Sequence, residues 1–263
     1  MKKIYLIPNS ARMEESLELV ESLDGAFEYN DFWNPNYLDD VNYTRERIDF
    51  YRSLGRDRSS DMLHGSFLDV TVHSDDPMIR KVSEYRVKQS IEIANQLGVC
   101  GVVFHTNIIP NFQMESYVKH WVERNQEFFS EMAVCNPNIN IYMENMFDIN
   151  PNALYQLAVA MRDIPNFGIC FDYAHANVFV NHDYQWDEAW FPYIQHVHIN
   201  DNDGKQDLHL PVGTGSLDWQ RYQDMMSSMA HKDCKPSVLI EVDSIEAQKS
   251  SIAYMQEQHL YPF

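Results

Sequence analysis

Residues 194–219 read IQHVHINDNDGKQDLHLPVGTGSLDW. The alternation in IQHVHI predicts a strand, which runs into a polar loop and closes on Gly213 and Gly215 ahead of a helical pattern. The strand end and loop gather His198, Asn200, Asp201, Asp207 and His209. Imidazole and carboxylate without thiolate form the donor set of an open catalytic metal site rather than of a structural zinc clip. A strand that delivers such groups at its carboxyl end and then turns into a helix is one βα unit, so the fold depends on whether the rest of the chain repeats it.

It does. Short runs rich in Val, Ile, Phe and Tyr predict eight strands, at 4–7, 26–29, 62–67, 101–105, 139–144, 167–172, 196–200 and 238–242. Between them lie segments with apolar residues at three- and four-residue steps, which predict helices at 14–23, 78–97, 113–133, 151–162, 216–230 and 244–257. Eight parallel βα units close a barrel, so the expected fold is α/β, a (β/α)8 TIM barrel. No repeat, composition break or Gly/Ser linker divides the chain, and residues 1–263 are expected to form a single domain.

Composition excludes several classes of partner. Thirty-nine acidic against 20 basic side chains give a formal charge of -19, a field that repels polyanions and argues against nucleic acid. The apolar run after the two N-terminal lysines is too short for a signal-peptide core, and no stretch approaches a membrane span. Cys100, Cys135, Cys170 and Cys234 form no CxxC pair, as expected of reduced thiols, so a cytoplasmic location is expected. A homo-oligomer is left open.

Two segments read as decoration. Residues 31–42 (DFWNPNYLDDVN) form a polar, aromatic loop in which Phe32, Trp33 and Tyr37 are expected to pack rather than to cap a pocket. Residues 45–58 carry five arginines diluted by Glu46, Asp49 and Asp57, which reads as a solvated helix face rather than a phosphate-binding patch.

Side chains that do chemistry in a parallel barrel hang from the carboxyl ends of different strands. Those ends offer His64 in LHGSF, His105 in VVFHTN, Glu144 in IYMEN, Asp172 and His175 in ICFDYAH, His198 with Asp207 and His209 beyond it, and Glu241 in VLIEVDS. A satisfied core histidine explains any one of these. An ionisable group after an apolar run in six successive strands outruns that explanation, because each is costly to bury unless paired or metal-bound. His73, His120, His182, His196, His231 and His259 are read as ordinary residues, with His196 pointing the same way as His198 but deeper.

Glu144 in MEN, Asp172 and His175 in FDYAH, His198 in HIND, Asp207 and His209 in DLH, the GTGSLDW turn and Glu241 in IEVD together resemble the xylose-isomerase-like barrel superfamily. That superfamily includes sugar isomerases and epimerases and the type IV apurinic endonucleases. In the sugar branch, the resemblance implies one divalent ion, commonly manganese, on Glu144, Asp172, His198 and Glu241, with His175 touching substrate. In the endonuclease branch it implies three zinc ions on those residues together with His64, His105, His175, Asp207 and His209.

The expected activity is therefore a divalent-metal-dependent isomerase or epimerase acting on a small keto-sugar or sugar phosphate, with proton exchange between Glu144 and Glu241. Its cofactor is one to three ions of manganese or zinc, and its partner is a small carbohydrate. A zinc-dependent phosphodiesterase is the alternative, and a non-catalytic metal-containing binding protein is the second.

Overall fold

The computed structural model describes residues 3–180 and 188–263; His182 lies outside the described residues. Eight parallel strands close into a barrel in chain order: β1 (Ile4–Leu6), β2 (Ala26–Tyr29), β3 (Met62–His64), β4 (Gly101–His105), β5 (Asn140–Glu144), β6 (Phe167–Asp172), β7 (Ile194–Ile199) and β8 (Ser237–Ile240). Every expected strand is present. The third is shorter than its apolar run because the chain leaves the ladder at Gly65, where a Cβ would stand 2.4 Å from the Phe104 ring. Only a glycine passes so close to that ring.

The helices are α1 (Met13–Ser22), α2 (Pro35–Leu38), α3 (Val41–Ser53), α4 (Pro77–Leu97), α5 (Glu115–Cys135), α6 (Asn152–Ala160), α7 (Tyr173–Phe179), α8 (Trp219–His231) and α9 (Ile245–Glu257). Their ends follow local chemistry. Asp76 caps α4 by accepting from the Met78 amide at 2.8 Å, Pro77 occupies the first turn, and Gly98 closes the helix at φ +75. Asp218 and Ser244 cap α8 and α9 in the same way. α6 starts one residue after Pro151 rather than on it.

Contacts gather the described chain into two compact units. One draws on Met1–Glu28, Asn145–Pro151 and Ile169–Phe263, the other on Tyr29–Glu144 and Asn152–Gly168. In the first unit, β8 pairs with β1 and β7, and β7 with β6. In the second, β4 lies between β3 and β5. α5 buries Val118, Trp121, Val122, Phe128, Phe129 and Met132 along one face, each contributing about 1.5–3 kcal/mol of hydrophobic stabilisation. The Trp121 indole donates to the Thr106 carbonyl at 3.1 Å.

The second unit corrects the reading of the arginine-rich run. Arg45 and Arg52 are exposed, but Arg47 pairs with Asp31 at 3.0 Å. Arg56 pairs with the fully buried Asp61, which also accepts from the Tyr29 hydroxyl at 2.6 Å. Arg58 donates to the carbonyls of Leu97, Tyr51 and Arg56. The buried Asp61 requires a counter-charge, which Arg56 supplies, while Arg47 and Arg58 are half-buried against Asp31 and backbone carbonyls, so these three arginines are not part of a solvated face. Phe32 is buried as expected. Trp33 packs on Phe67 with ring centroids 5.0 Å apart, and Phe67 in turn lies 4.6 Å from His105.

His73 is buried near Trp121 and Tyr117. Burial, reinforced by His120, pushes its imidazole down to about 4. Between that value and the ordinary 6.5 the unfolded chain binds the extra proton, so stability falls as pH drops through 6.5 and levels off below 4. In urea unfolding at pH 7 and pH 4.5, His73→Phe is expected to lose about 2–3 kcal/mol less than the parent on acidification. An equal loss in both proteins would remove His73 from the acid response.

Candidate active site

In the first unit the strand ends and their loops assemble a dense array of nitrogen and oxygen donors. Asp172, at the end of β6, is fully buried and fastened to Asn145 by a reciprocal pair. The Asp172 amide donates to Asn145 Oδ1 at 2.9 Å and Asn145 Nδ2 returns a bond to the Asp172 carbonyl at 2.9 Å. One carboxylate oxygen of Asp172 caps α7, accepting from the His175 amide at 2.6 Å. His198, on β7, is fully buried, with Nδ1 3.4 Å from Glu241 Oε2. Asp172, His198 and Glu241 each offer a donor atom within 4.8 Å of the others.

Beside them His175, Asp207 and His209 converge. Asp207 Oδ2 lies 3.3 Å from His175 Nε2 and 3.1 Å from His209 Nε2. The far nitrogens of both rings face backbone carbonyls, His175 Nδ1 to Asn145 at 2.8 Å and His209 Nδ1 to Glu241 at 3.1 Å. A proton on Nδ1 donating to a carbonyl turns Nε2 toward the Asp207 carboxylate, the ring orientation that metal-ligating histidines use. Burial opposes ionisation of Asp207 and His209, yet Glu241 and Asp207 push the His209 imidazole up to about 10, and the two histidines hold the Asp207 carboxyl well below the usual range. His209 also takes a left-handed backbone, φ +48, which costs free energy in a non-glycine residue and recurs at functional sites.

The loop carrying Asp207 and His209 is anchored by Asp201. Its carboxylate accepts from the amides of Asn202 (3.0 Å), Leu217 (3.1 Å) and Gly213 (2.9 Å) and from the Trp219 indole (3.0 Å). Its backbone exchanges two 2.8 Å bonds with Leu210. A Cβ on Gly215 would fall 2.3 Å from the Asp201 carboxylate, so the GTG turn exists to wrap this one acid closely.

In the second unit, ladder register sets His105 directly opposite Glu144. Glu144 Oε2 lies 3.4 Å from His105 Nε2 and 3.6 Å from His64 Nε2, and the two imidazole nitrogens are 3.1 Å apart. His64 Nδ1 faces the Gly65 carbonyl at 3.1 Å, so this ring too is set to present Nε2. All three residues are buried.

The profile of the xylose isomerase-like TIM barrel family matches residues 18–258. The chain belongs to that family. Among the relatives of this xylose isomerase-like barrel is the uncharacterized protein MJ1311 of Methanocaldococcus jannaschii, 30% identical over 174 residues, which cover 60% of this chain and 57% of that protein. Among solved structures, the TTHB071 protein from Thermus thermophilus, soaked with ZnCl2, superposes with a TM-score of 0.74 at 22% identity over 97% of both chains. A D-tagatose 3-epimerase-like protein superposes with a TM-score of 0.71 at 24% identity, over 97% of this chain and 96% of its own.

The barrel holds three residues near these donors that the strand-end rule did not single out for a role. Glu28, inside β2, is buried, its carboxylate 3.1 Å from His196 Nε2 and 3.3 Å from His198 Nε2. Burial raises its carboxyl, but the two histidines outweigh burial and hold it far below the ordinary range. His196 is therefore engaged rather than incidental. Asn200, two residues past His198 and fully buried, makes no hydrogen bond through either amide atom among the described residues. The sequence signal for Glu28 is an acid between Phe27 and Tyr29, inside its strand rather than at the carboxyl end where the strand-end rule looks. Among the described residues no helix is long and apolar enough to cross a membrane.

Proposed function

We propose that this chain is a divalent-metal-dependent isomerase or epimerase of a small keto-sugar or sugar phosphate, with Glu144, Asp172, His198 and Glu241 holding one ion. The observation that carries the reading is the convergence of Asp172, His198 and Glu241 within 4.8 Å of one another, each at or just beyond the carboxyl end of its own strand. Two carboxylates and an imidazole are hard-to-borderline donors, which fits manganese or zinc. A bound divalent cation supplies Lewis acidity to a substrate carbonyl.

This chain's own groups do the rest. One of Glu144 and Glu241 withdraws the proton on the carbon beside the carbonyl and the other returns a proton to the opposite face. His175 and the Asn200 amide bind sugar hydroxyls. A buried amide without a partner costs about 1–3 kcal/mol, and a substrate hydroxyl removes that cost. The acidic surface suits a neutral or singly phosphorylated substrate better than a polymer of phosphates.

A second reading rests on the His64, His105, Glu144 and the His175, Asp207, His209 clusters, which have the composition and ring orientation to take further zinc ions, as a phosphodiesterase requires. Elemental analysis joined to a ketose panel in deuterated water separates the two. The sugar reading expects one tightly held ion per chain and solvent deuterium beside the carbonyl of an epimerised ketose. Three zinc ions per chain, cleavage of an abasic-site oligonucleotide and no action on any ketose would give the decision to the phosphodiesterase.

A further inference from the structure

The buried groups behind His198 form a continuous line. Ser237 Oγ lies 2.6 Å from His196 Nδ1, His196 Nε2 lies 3.1 Å from Glu28 Oε2, and Glu28 Oε1 lies 3.3 Å from His198 Nε2. On its other side, His198 Nδ1 faces Glu241 Oε2 at 3.4 Å. Ser237, His196, Glu28 and His198 are at most 2% exposed, and Glu241 6%. A neutral imidazole carries one ring proton, and the nitrogen that keeps it cannot ligate a cation. His198 stands between two carboxylates, so the placement of its proton decides whether it can serve as a ligand at all.

We propose that Glu28 is a positioning residue that holds the His198 proton on Nε2 and thereby turns a bare Nδ1 toward the cation beside Glu241. The inference rests on the reading of His198 and Glu241 as metal ligands. Glu28 sits too deep for water to share its charge, so the two imidazoles meet it. A carboxylate only accepts, so His196 Nε2 carries a proton and donates to Glu28 Oε2 at 3.1 Å, while Nδ1 meets the Ser237 hydroxyl at 2.6 Å. That bond fixes the carboxylate plane, and Oε1 then lies 3.3 Å from His198 Nε2. The edge of Tyr5 on the His196 ring, at 5.3 Å between centroids, keeps the imidazole from turning. His196 is not itself a ligand here, since both of its nitrogens are engaged. A carboxylate on the far nitrogen of a ligating histidine fixes the ring and raises its basicity, and its loss typically weakens metal affinity 10- to 100-fold.

Two measurements test this. In the chelator-treated protein, long-range proton–nitrogen NMR of the imidazoles is expected to show His198 protonated on Nε2, with an unprotonated Nδ1. Competition of zinc and manganese against a chromophoric chelator is expected to give a roughly 10- to 100-fold weaker site in Glu28→Gln, with partial recovery in Glu28→Asp, the site being identified by its loss in His198→Ala. A merely structural Glu28 would lower the melting temperature of Glu28→Gln while leaving tautomer and affinity unchanged. That result, or a His198 protonated on Nδ1 in the unmutated protein, overturns the proposal. The NMR arm needs no variant, so misfolding of Glu28→Gln does not shelter it. Failure of the unmutated protein to take up either metal would overturn the ligand reading, whereas uptake with the wrong tautomer would overturn only the role of Glu28.

Discussion

Under the proposed epimerase reading, Glu241→Gln is expected to lower ketose turnover by roughly 10³-fold or more, the scale of a lost general acid or base with a weakened metal site added to it. The substitution keeps side-chain volume and removes charge and basicity. Glu241 sits where three dependencies meet. Its carboxylate faces His198 Nδ1, its carbonyl faces His209 Nδ1 at 3.1 Å, and its amide donates to the Ile199 carbonyl at 2.8 Å. The two backbone bonds survive the mutation, so the loop and strand should stay in place and circular dichroism should be unchanged. The loss should therefore appear in kcat and in metal affinity, not in folding. Activity at the parental level would exclude Glu241 from both roles.

Asp201→Ala is expected to destabilise the fold by roughly 3–5 kcal/mol, which is large against the 5–15 kcal/mol that typically holds a protein folded. The alanine leaves the amides of Asn202, Leu217 and Gly213 and the Trp219 indole without their acceptor. Each unsatisfied buried donor costs about 1–3 kcal/mol, reduced where water enters the space left behind. In a chain of this size the melting temperature should fall by roughly 10 °C. Asp201→Asn should recover little, because its amide nitrogen meets donors where an oxygen is needed. The same loop carries Asp207 and His209, so affinity for any ion at those residues should fall with stability. A melting temperature within a degree or two of the parent would show that the turn is held by other contacts.

The eight strands and most helices were legible because strands buried on both faces read as continuous apolar runs and because Asp76, Gly98, Asp218 and Ser244 mark helix ends by local chemistry. The candidate ligands were legible for a related reason. An acid or imidazole such as Glu144 or His105 closing an apolar run is expensive to bury, so its presence announces a partner that the run itself cannot provide.

What the local pattern could not contain was the identity of partners distant along the chain. Glu28 and His196 are 168 residues apart, and Arg47 and Arg56 look solvated until Asp31 and the buried Asp61 are brought against them. Asp201 reads as one more loop acid until the GTG turn closes around it. By itself, then, the sequence determined the barrel, the strand ends and the chemical types of the donors, all of which follow from burial periodicity and the cost of burying charge. Only the tertiary structure decided which nitrogen of each histidine faces which oxygen, because that depends on strand register and loop closure, and these bring together groups that no window of sequence contains.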